Sequence, residues 1–182
     1  MRFIGHWLGN AVNIALALVF AVVAMQAPAF TRDYAEALLQ VAQDSRRDIE
    51  QRKASARRFY PITAESDEQV IAALRPFEPS NAETLAFSVD RARRLEAAYQ
   101  KIAGTLPLLQ PIAALSDGLE DEHGYKAAVW RTLLATYVPH LDFGIAAAAY
   151  GLVGLLAGSF MAQLLTALGR KLGGRRRLAR EG

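Results

Sequence analysis

The residues best suited to chemistry lie in one short stretch of the chain. Asp121, Glu122 and His123 are consecutive, and Ser116 and Asp117 precede them. Carboxylates and imidazole bind divalent metals, and a serine with an acid and a histidine supplies the residue types of a hydrolase. Neighbouring residues of a helix or turn point in different directions, and no nucleophile-elbow pattern surrounds the serine. We therefore expect a solvated acidic loop here, with no metal and no catalytic residues.

The alternative is a membrane-bound hydrolase or ligand-binding enzyme that uses the loop around Asp121 and His123. The sequence contains no P-loop and no dinucleotide-binding glycine motif, so nothing in it indicates a nucleotide cofactor. The absence of cysteine also excludes disulfides, thiolate metal sites and thiol nucleophiles. We therefore expect that the protein is not an enzyme and that it needs no cofactor.

The composition indicates a small membrane protein with a polar part. Of the 182 residues, 52% are hydrophobic and 21% are charged. This is too apolar for a typical soluble domain and too charged for a polytopic transporter. Acidic residues outnumber basic ones between Met25 and Asp142, so the net charge of +3 comes from the last segment. A nucleic-acid partner is not expected, because it would need a basic stripe on the folded part.

The clearest single feature is the uncharged stretch from Phe143 to Leu168. It exceeds the roughly 20 residues that a helix needs to cross the hydrocarbon core of a bilayer, and it predicts a membrane span. A basic segment follows, which the positive-inside rule places in the cytoplasm, beside anionic lipid. Its basic residues are Arg170, Lys171, Arg175, Arg176, Arg177 and Arg180.

A second apolar stretch runs from Trp7 to Ala27. A cleaved signal peptide is one interpretation, with small residues at Ala27 and Ala29 to serve as the cut site. We favour an uncleaved first span, because the apolar core is longer than a usual signal core and Pro28 lies inside the proposed cut site. Neither span contains Asp, Glu, Lys or Arg, which argues against an ion path through this chain.

Small residues recur on one face of each predicted span. Such faces allow two helix backbones to approach closely in lipid, so we expect them to pack together within one chain or between chains. Gly154 and Gly158 also form a GxxxG pair. The predicted packing residues are Asn13, Ala17, Ala21 and Ala24 in the first span and Gly144, Gly151, Gly154 and Gly158 in the second.

The segment between the spans has helical periodicity throughout. An amphipathic helix is predicted over 31–59, a short helix after the capping box Ser66–Gln69, and a further helix over about 81–103. The last of these has a short coiled-coil-like seam, so we expect it to pack antiparallel to the 31–59 helix. The predicted seam residues are Leu85, Ser88, Ala92, Leu95, Tyr99 and Ile102.

Aromatic residues in this segment suggest two kinds of contact. Phe77, Phe87 and Val89 lie off the predicted seam, and we expect them to offer a partner an apolar helix-in-groove surface. Trp130 and Tyr137 belong to a helix predicted over 125–137 and suit the outer interface of the membrane.

The order of these features resembles a known family. Gln26, Pro28 and Phe30 alternate after the first span, and Thr136, Tyr137 and Pro139 lead into the glycine-rich second span. With Tyr34, this layout is similar to a bacterial inner-membrane family known as domain of unknown function 2937. The resemblance implies two membrane spans, and the family has no assigned activity or catalytic residues that could be transferred to this chain.

The sequence therefore predicts an all-α protein of the bacterial inner membrane, in which two transmembrane helices bracket an extracytoplasmic domain built on an antiparallel helix pair. We expect it to be a structural or interaction module. The expected partners are membrane lipids and either a second copy or another envelope protein. The predicted parts are a cytoplasmic N-terminus (1–6), a first transmembrane helix (7–27), the extracytoplasmic domain (28–141), a second transmembrane helix (142–168) and a basic cytoplasmic tail (169–182).

Overall fold

The structure is a computed structural model that describes residues 2–121, 123–139 and 144–178, with the backbone alone at 2–6, 8–9 and 168–178. Within these ranges the chain forms α-helices and no strand, which confirms the all-α prediction. The helices are α1 (Arg2–Met25), α2 (Ala27–Phe59), α3 (Asp67–Leu74), α4 (Pro79–Ala103), α5 (Gln110–Leu119), α6 (Tyr125–Thr136) and α7 (Ile145–Leu178).

The chain divides into two compact units. One joins the residues up to Phe30 with those from Val138 onward, and it contains α1 and α7. The other is Thr31–Tyr137, which we call the helical domain. Both α1 and α7 are long and apolar enough to cross a membrane.

The helix boundaries differ from the predicted ones at both spans. Only Gln26 separates α1 from α2, so α2 begins at Ala27 and not at Thr31. Pro28 lies in the first turn of α2, where its missing N–H costs no helical hydrogen bond. At the other end, α7 continues through the predicted span into the basic segment as far as Leu178.

The helical domain is built around α2 and α4. One buried cluster joins residues 34–42 of α2 to residues 95–102 of α4, and it includes Ala114 of α5 and Val129 of α6. A second cluster joins residues 49–56 of α2 to residues 82–92 of α4, with α3 packed between them. This order makes α2 and α4 antiparallel, in agreement with the sequence prediction.

Three local features of the helical domain can be compared with the sequence prediction. The Ser66 side chain accepts a hydrogen bond from the backbone N–H of Gln69 at 3.3 Å, which confirms the predicted cap of α3. Helix α4 begins two residues earlier than predicted, because Pro79 is itself favoured in the first turn. The predicted acidic loop begins later than expected, since α5 includes Ser116 and Asp117 and ends at Leu119.

Val89, which was predicted to lie off the helix seam, and the charged residue Lys53 are both buried. Val89 lies four residues after Leu85 and three before Ala92, so helical periodicity puts it on the buried face of α4, where only 4% of it is exposed. Lys53 follows Ile49 by one helical turn, and for the same reason it lies on the buried face of α2. The position of Val89 corrects the sequence prediction.

The buried charge of Lys53 is neutralised by Asp67, at the first position of α3. The Lys53 ammonium lies 2.8 Å from Oδ1 of Asp67 and 2.8 Å from Oε1 of Glu50. The guanidinium of Arg46 lies 3.0 Å from Oδ2 of Asp67, and that of Arg93 lies 3.5 Å from the same atom. Asp67 therefore connects α2, α3 and α4 through charge-assisted hydrogen bonds and ion pairs.

Burial by itself would raise the pKa of Asp67, but hydrogen bonding and charge from Lys53, together with the charge of Arg46, outweigh it and lower the pKa below its ordinary value. The same partnership, led by the hydrogen bond to Asp67, raises the pKa of Lys53. Both groups are therefore charged at neutral pH, and each depends on the other for its stability in the folded state.

We expect the Asp67→Asn variant to lower the free energy of unfolding by about 3 kcal/mol at neutral pH, because it leaves a buried ammonium short of its countercharge. Chemical denaturation of the full chain in detergent micelles measures this loss. The matched control is Asp44→Asn, whose exposed pair with Arg47 should contribute less than about 1 kcal/mol.

The effect of Asp67 should depend on pH in a defined direction. Because its pKa is lower in the folded than in the unfolded chain, its contribution is complete above the unfolded-state pKa and is lost as pH falls through the folded-state pKa. The difference between wild type and Asp67→Asn should therefore stay constant from neutral pH to the ordinary carboxyl range and disappear below it. A difference that grows on acidification would contradict this account.

Candidate functional site

The predicted acidic loop borders a cleft of about 250 Å³ between α4, α5 and the start of α6. The cleft has both positive and negative walls, so it is not simply an acidic site. Its charged, histidine and aromatic lining residues are Arg94, Lys101, Asp117, Glu120, Asp121, His123, Tyr125 and Lys126.

Most of these charges already have partners. Lys126 lies 2.7 Å from Oδ1 of Asp117, and Lys101 lies 2.9 Å from Oε2 of Glu120. Arg94 lies 2.8 Å from a carboxylate oxygen of Asp90, one turn earlier on α4. These pairs neutralise the cleft wall and leave little unbalanced charge to attract an ionic ligand.

Asp117 is the polar residue buried most deeply at the cleft. Only 4% of its side chain is exposed, and Oδ2 has no hydrogen-bond partner among the described residues. A buried acceptor without a donor costs free energy. This oxygen is therefore a buried acceptor beside the cleft whose hydrogen-bonding capacity is not used by the described residues.

Tyr34 and Trp130 belong to the apolar cluster near Asp117 and do not line the cleft. Their ring centroids lie 4.7 Å apart, and burial, followed by the charge of Asp117, raises the pKa of the Tyr34 hydroxyl well above its ordinary value. A Cβ atom on Gly118 would lie 2.9 Å from Nε1 of Trp130, so glycine lets the indole lie against α5. Trp130 therefore packs against the buried cluster that contains Tyr34, and its predicted place in the membrane interface stays a prediction.

The two residues that the enzyme alternative requires have other contacts. Oδ2 of Asp121 accepts a hydrogen bond from the backbone N–H of Ala127 at 2.8 Å, so Asp121 caps the N-terminus of α6. His123 is exposed and stacks on Tyr125, with ring centroids 5.5 Å apart. Glu122 lies outside the described residues, and among those that are described no group of three or more His, Cys, Asp or Glu side chains is placed to hold a metal ion.

The small residues of α1 and α7 lie against each other. A Cβ atom on Gly154 would lie 2.5 Å from the carbonyl oxygen of Phe20 and 2.6 Å from Cβ of Ala24. A Cβ atom on Gly158 would lie 2.8 Å from Cα of Ala17. These distances are too short for any side chain, so the two glycines are needed for the close approach of the backbones.

The ends of this contact differ from each other. A Cβ atom on Gly151 would lie 2.6 Å from Cγ of Met25 and 3.8 Å from the carbonyl oxygen of Ala21, so the contact includes Gly151. Gly144 precedes α7, and a Cβ atom there would meet nothing within 4 Å. Gly144 is therefore not part of the contact. The seven-residue spacing of Gly144, Gly151 and Gly158 begins in the sequence before the helix itself begins at Ile145.

Asn13 lies at the side of the α1–α7 contact and is half-buried. It lines a crevice between the two helices whose polar side chains come from both of them. The polar lining residues are Asn10, Asn13, Ser159 and Gln163.

The predicted partner surface is not one surface. Val89 is buried, as described above. Phe77 is exposed and stacks on Tyr60 with ring centroids 5.1 Å apart, whereas Phe87 is exposed and packs edge-on against Tyr125 at 5.3 Å. For the basic residues Arg170, Lys171, Arg175, Arg176 and Arg177 the structure describes the backbone alone, as part of α7.

The comparison with protein families decides what the chain is related to. The model of a family described as "Protein of unknown function (DUF2937)" matches residues 8–175. The chain belongs to the DUF2937 family. This confirms the resemblance that the residues around Pro28 and Pro139 indicated.

The DUF2937 match extends over both apolar helices and the whole helical domain. It therefore covers the cleft, the glycine contact and the Asp67 cluster described above. No curated protein and no solved structure matches the chain.

We expect Gly154→Leu to disrupt the α1–α7 contact, because its side chain would overlap the backbone of α1 at Phe20 and the Cβ of Ala24. The loss should be about 1–3 kcal/mol, as for other overpacked contacts. Unfolding of the full chain by titration with sodium dodecyl sulfate, followed by circular dichroism, measures it. Ala157→Leu adds the same side chain on the exposed face of α7 and should unfold like wild type. Equal stability of the two variants would show that α1 and α7 do not pack through Gly154.

Proposed function

We propose that the protein is a two-span protein of the bacterial inner membrane that holds a helical interaction module on the extracytoplasmic side. In this proposal α1 and α7 cross the membrane, both termini are cytoplasmic, and the domain of residues 28–141 is exported. The domain acts by binding a partner and not by catalysis.

The observation that carries this proposal is the distribution of side-chain sizes in the α1–α7 unit. Glycine and alanine lie between the helices, while large apolar side chains face outward, the reverse of a soluble helix pair. In lipid this arrangement is stable, because acyl chains solvate the outer side chains and close backbone packing joins the helices. The outward residues include Val12, Ile14, Leu18, Val19, Val22, Val23, Leu152, Val153, Leu156, Phe160, Leu164 and Leu165.

The degree of burial separates this interpretation from a soluble core helix. In the most apolar stretch of each helix only 28% of the residues are buried within the protein. A core helix of a soluble protein would be mostly buried, because exposed apolar surface costs about 25 cal/mol for each Å². The low burial therefore supports lipid as the surrounding medium of both helices.

The basic segment after the second span supports the proposed orientation. Arg170, Lys171 and the run Arg175–Arg177 follow the apolar part of α7, and such clusters remain on the cytoplasmic side. On that side they would also lie close to anionic headgroups, which attract Lys and Arg within about a Debye length.

The contacts of Asp121 and His123 support an interaction module over an enzyme. Asp121 is used as a helix cap, and no hydrogen bond joins it to His123 among the described residues. An imidazole that acts as a base needs such an orienting partner. The second candidate, a ligand-binding or hydrolytic site in the cleft, is favoured only by the unpaired oxygen of Asp117.

The partner of the module is proposed to be a second copy or another protein of the envelope. Phe77 and Phe87 remain available for this contact, since both are more than half exposed. Exposed aromatic residues of this kind often contribute the largest share of binding energy at an interface.

Reporter fusions test the proposed topology. A fusion of alkaline phosphatase after Asn81 should be active, because the enzyme folds only when exported, and a fusion of green fluorescent protein after Gly182 should fluoresce. The reciprocal fusions serve as controls and should be inactive. An active cytoplasmic reporter at Asn81 would contradict the topology, and loss of the residues before about Ala29 from the mature protein would support the signal-peptide alternative.

Complementation of a deletion strain separates the module from the enzyme. The double variant Asp121→Ala/His123→Ala should complement fully, because its main cost is a helix cap of about 1 kcal/mol. Phe87→Glu should fail although the protein remains in the membrane, since it places a charge on the proposed partner surface. Gln100→Glu adds the same charge elsewhere on α4 and should complement. Failure of a stably expressed Asp121→Ala/His123→Ala variant would favour the enzyme.

A further inference from the structure

The crevice between α1 and α7 is polar at one end and apolar at the other. Its volume of about 340 Å³ lies within the range of small-molecule pockets, which is roughly 300–1,000 Å³. Both helices contribute side-chain amides to one end and aliphatic side chains to the other, and we call the whole the amide crevice. The amide residues are Asn10, Asn13 and Gln163, and the aliphatic residues are Ile14, Ala17, Leu18 and Leu155.

The glycine contacts explain why the amides of both helices share one end. Gly158 lies against Ala17 and Gly154 lies against Ala24, so α1 and α7 run antiparallel. Lining residues early in α1 therefore lie across from lining residues late in α7. The amide end is formed by the N-terminal part of α1 and the C-terminal half of α7, and the aliphatic end lies toward the middle of both helices.

The amide end lies just inside the end of each apolar stretch. Asn10 follows the exposed Trp7 by three residues, and Gln163 precedes Leu168 by five. In each helix the lining extends over eight residue steps, or about 12 Å at about 1.5 Å per residue. This is less than half of the hydrocarbon core, which is about 30 Å thick. If the two helices span the membrane, the crevice lies within one leaflet and its amide end faces the headgroups.

The three amides have no partner within the described part of the chain. The side chains of Asn10, Asn13 and Gln163 form no hydrogen bond with another described residue. By contrast, the hydroxyl of Ser159, which also lines the crevice, donates a hydrogen bond to the backbone oxygen of Leu155 at 2.8 Å. An amide without a partner is costly inside the bilayer. The amide end therefore favours an occupant that has hydrogen-bonding groups.

We propose that the amide crevice binds one glycerophospholipid of the leaflet next to the N-terminus of α1. The amide N–H groups donate hydrogen bonds to its ester and phosphate oxygens, and one acyl chain lies along the aliphatic residues toward the membrane centre. No Asp, Glu, Lys or Arg is among the described residues that line the crevice. It therefore recognises the ester and phosphate oxygens, which all glycerophospholipids share. This inference rests on the proposed two-span topology and adds a ligand to it.

A second copy of the chain fits the amide crevice less well than a phospholipid does. The crevice is concave, and a two-fold contact would set the same concave surface against itself and leave the space between the copies empty. Water would bind the amides but would not solvate the aliphatic end. A phospholipid matches both ends and also the direction in which they are ordered.

Photocrosslinking of the full chain in dodecyl maltoside micelles tests the proposal. The probe is phosphatidylcholine with a diazirine on its acyl chain, and mass spectrometry locates the labelled residues. Leu18, which lines the crevice, is 53% exposed, and Val19, which does not line it, is 57% exposed. Because these exposed fractions are nearly equal, lipid that binds without a site should label both residues alike.

The expected labelling at Leu18 saturates with increasing probe and is competed by unmodified phosphatidylcholine, whereas labelling at Val19 is weak and does not saturate. The double variant Asn13→Leu/Gln163→Leu should raise the half-saturating probe concentration at Leu18 by about tenfold or more, because two of the three amides are removed. The matched control Ala15→Leu adds a leucine at an exposed position of α1 outside the crevice and should behave like wild type.

The single variant Gln163→Leu replaces the double variant if circular dichroism shows that the latter has lost helix content. It removes one amide, so the half-saturating concentration should rise by about threefold. Saturable labelling at Leu18 that neither variant changes would reject recognition by the amides.

The remaining outcomes separate the lipid site from the topology. Equal labelling of Leu18 and Val19 without saturation would reject the site and leave the two spans intact. Labelling of Val19 without Leu18 would reject lipid as the occupant, and a dimer in native mass spectrometry that the double variant abolishes would then assign the crevice to a second copy. Absence of labelling at both residues would place the helices outside the micelle and reject the two-span topology, and with it the present inference.

Discussion

The close approach of α1 and α7 is the constraint on which the rest of the structure depends. Two apolar helices gain little from the hydrophobic effect when lipid surrounds them, so they associate only where their backbones can touch. Gly154 and Gly158 allow this against Phe20 and Ala17, where any Cβ atom would overlap α1. Because α2 follows α1 after one residue, and because α6 is the last helix before α7, the helical domain is inserted in the chain between the two contacting helices.

The helical domain is stabilised by a different combination of forces. Two apolar clusters join α2 to α4, and a single carboxylate, Asp67, neutralises the buried Lys53 and binds Arg46. A buried charge contributes little to stability on its own account, but it is costly once its partner is removed. Asp67 therefore matters chiefly because its removal would leave the Lys53 ammonium buried without this countercharge. Most charged side chains at the cleft around Asp117 are also held in ion pairs.

Hydrophobic periodicity, together with the proline and capping residues at helix ends, was enough to predict the helices, the Ser66 cap and the antiparallel pairing. The two apolar helices were also evident, because length and lack of charge identify them without any tertiary information. The burial of Lys53 and Val89 could have been predicted as well, since each falls one turn after a buried aliphatic residue. The role of Trp130 could not, because its contacts with Tyr34 and Gly118 join residues far apart in sequence. The contact of Asp121 with the backbone N–H of Ala127 was not predicted either, because a solvated loop was expected there.

The central claim is that α1 and α7 are lipid-surrounded helices joined by a face of small residues. A spin-label scan of residues 152–165 of α7 in bilayers, omitting the glycines, tests it most directly through accessibility to oxygen and to a water-soluble nickel reagent. The account predicts high oxygen accessibility at Leu152, Leu156 and Phe160, low values at Leu155 and Ser159 beside the contact, and low nickel accessibility throughout. High nickel accessibility at Leu152 and Leu156 would contradict it, because those side chains would then face water.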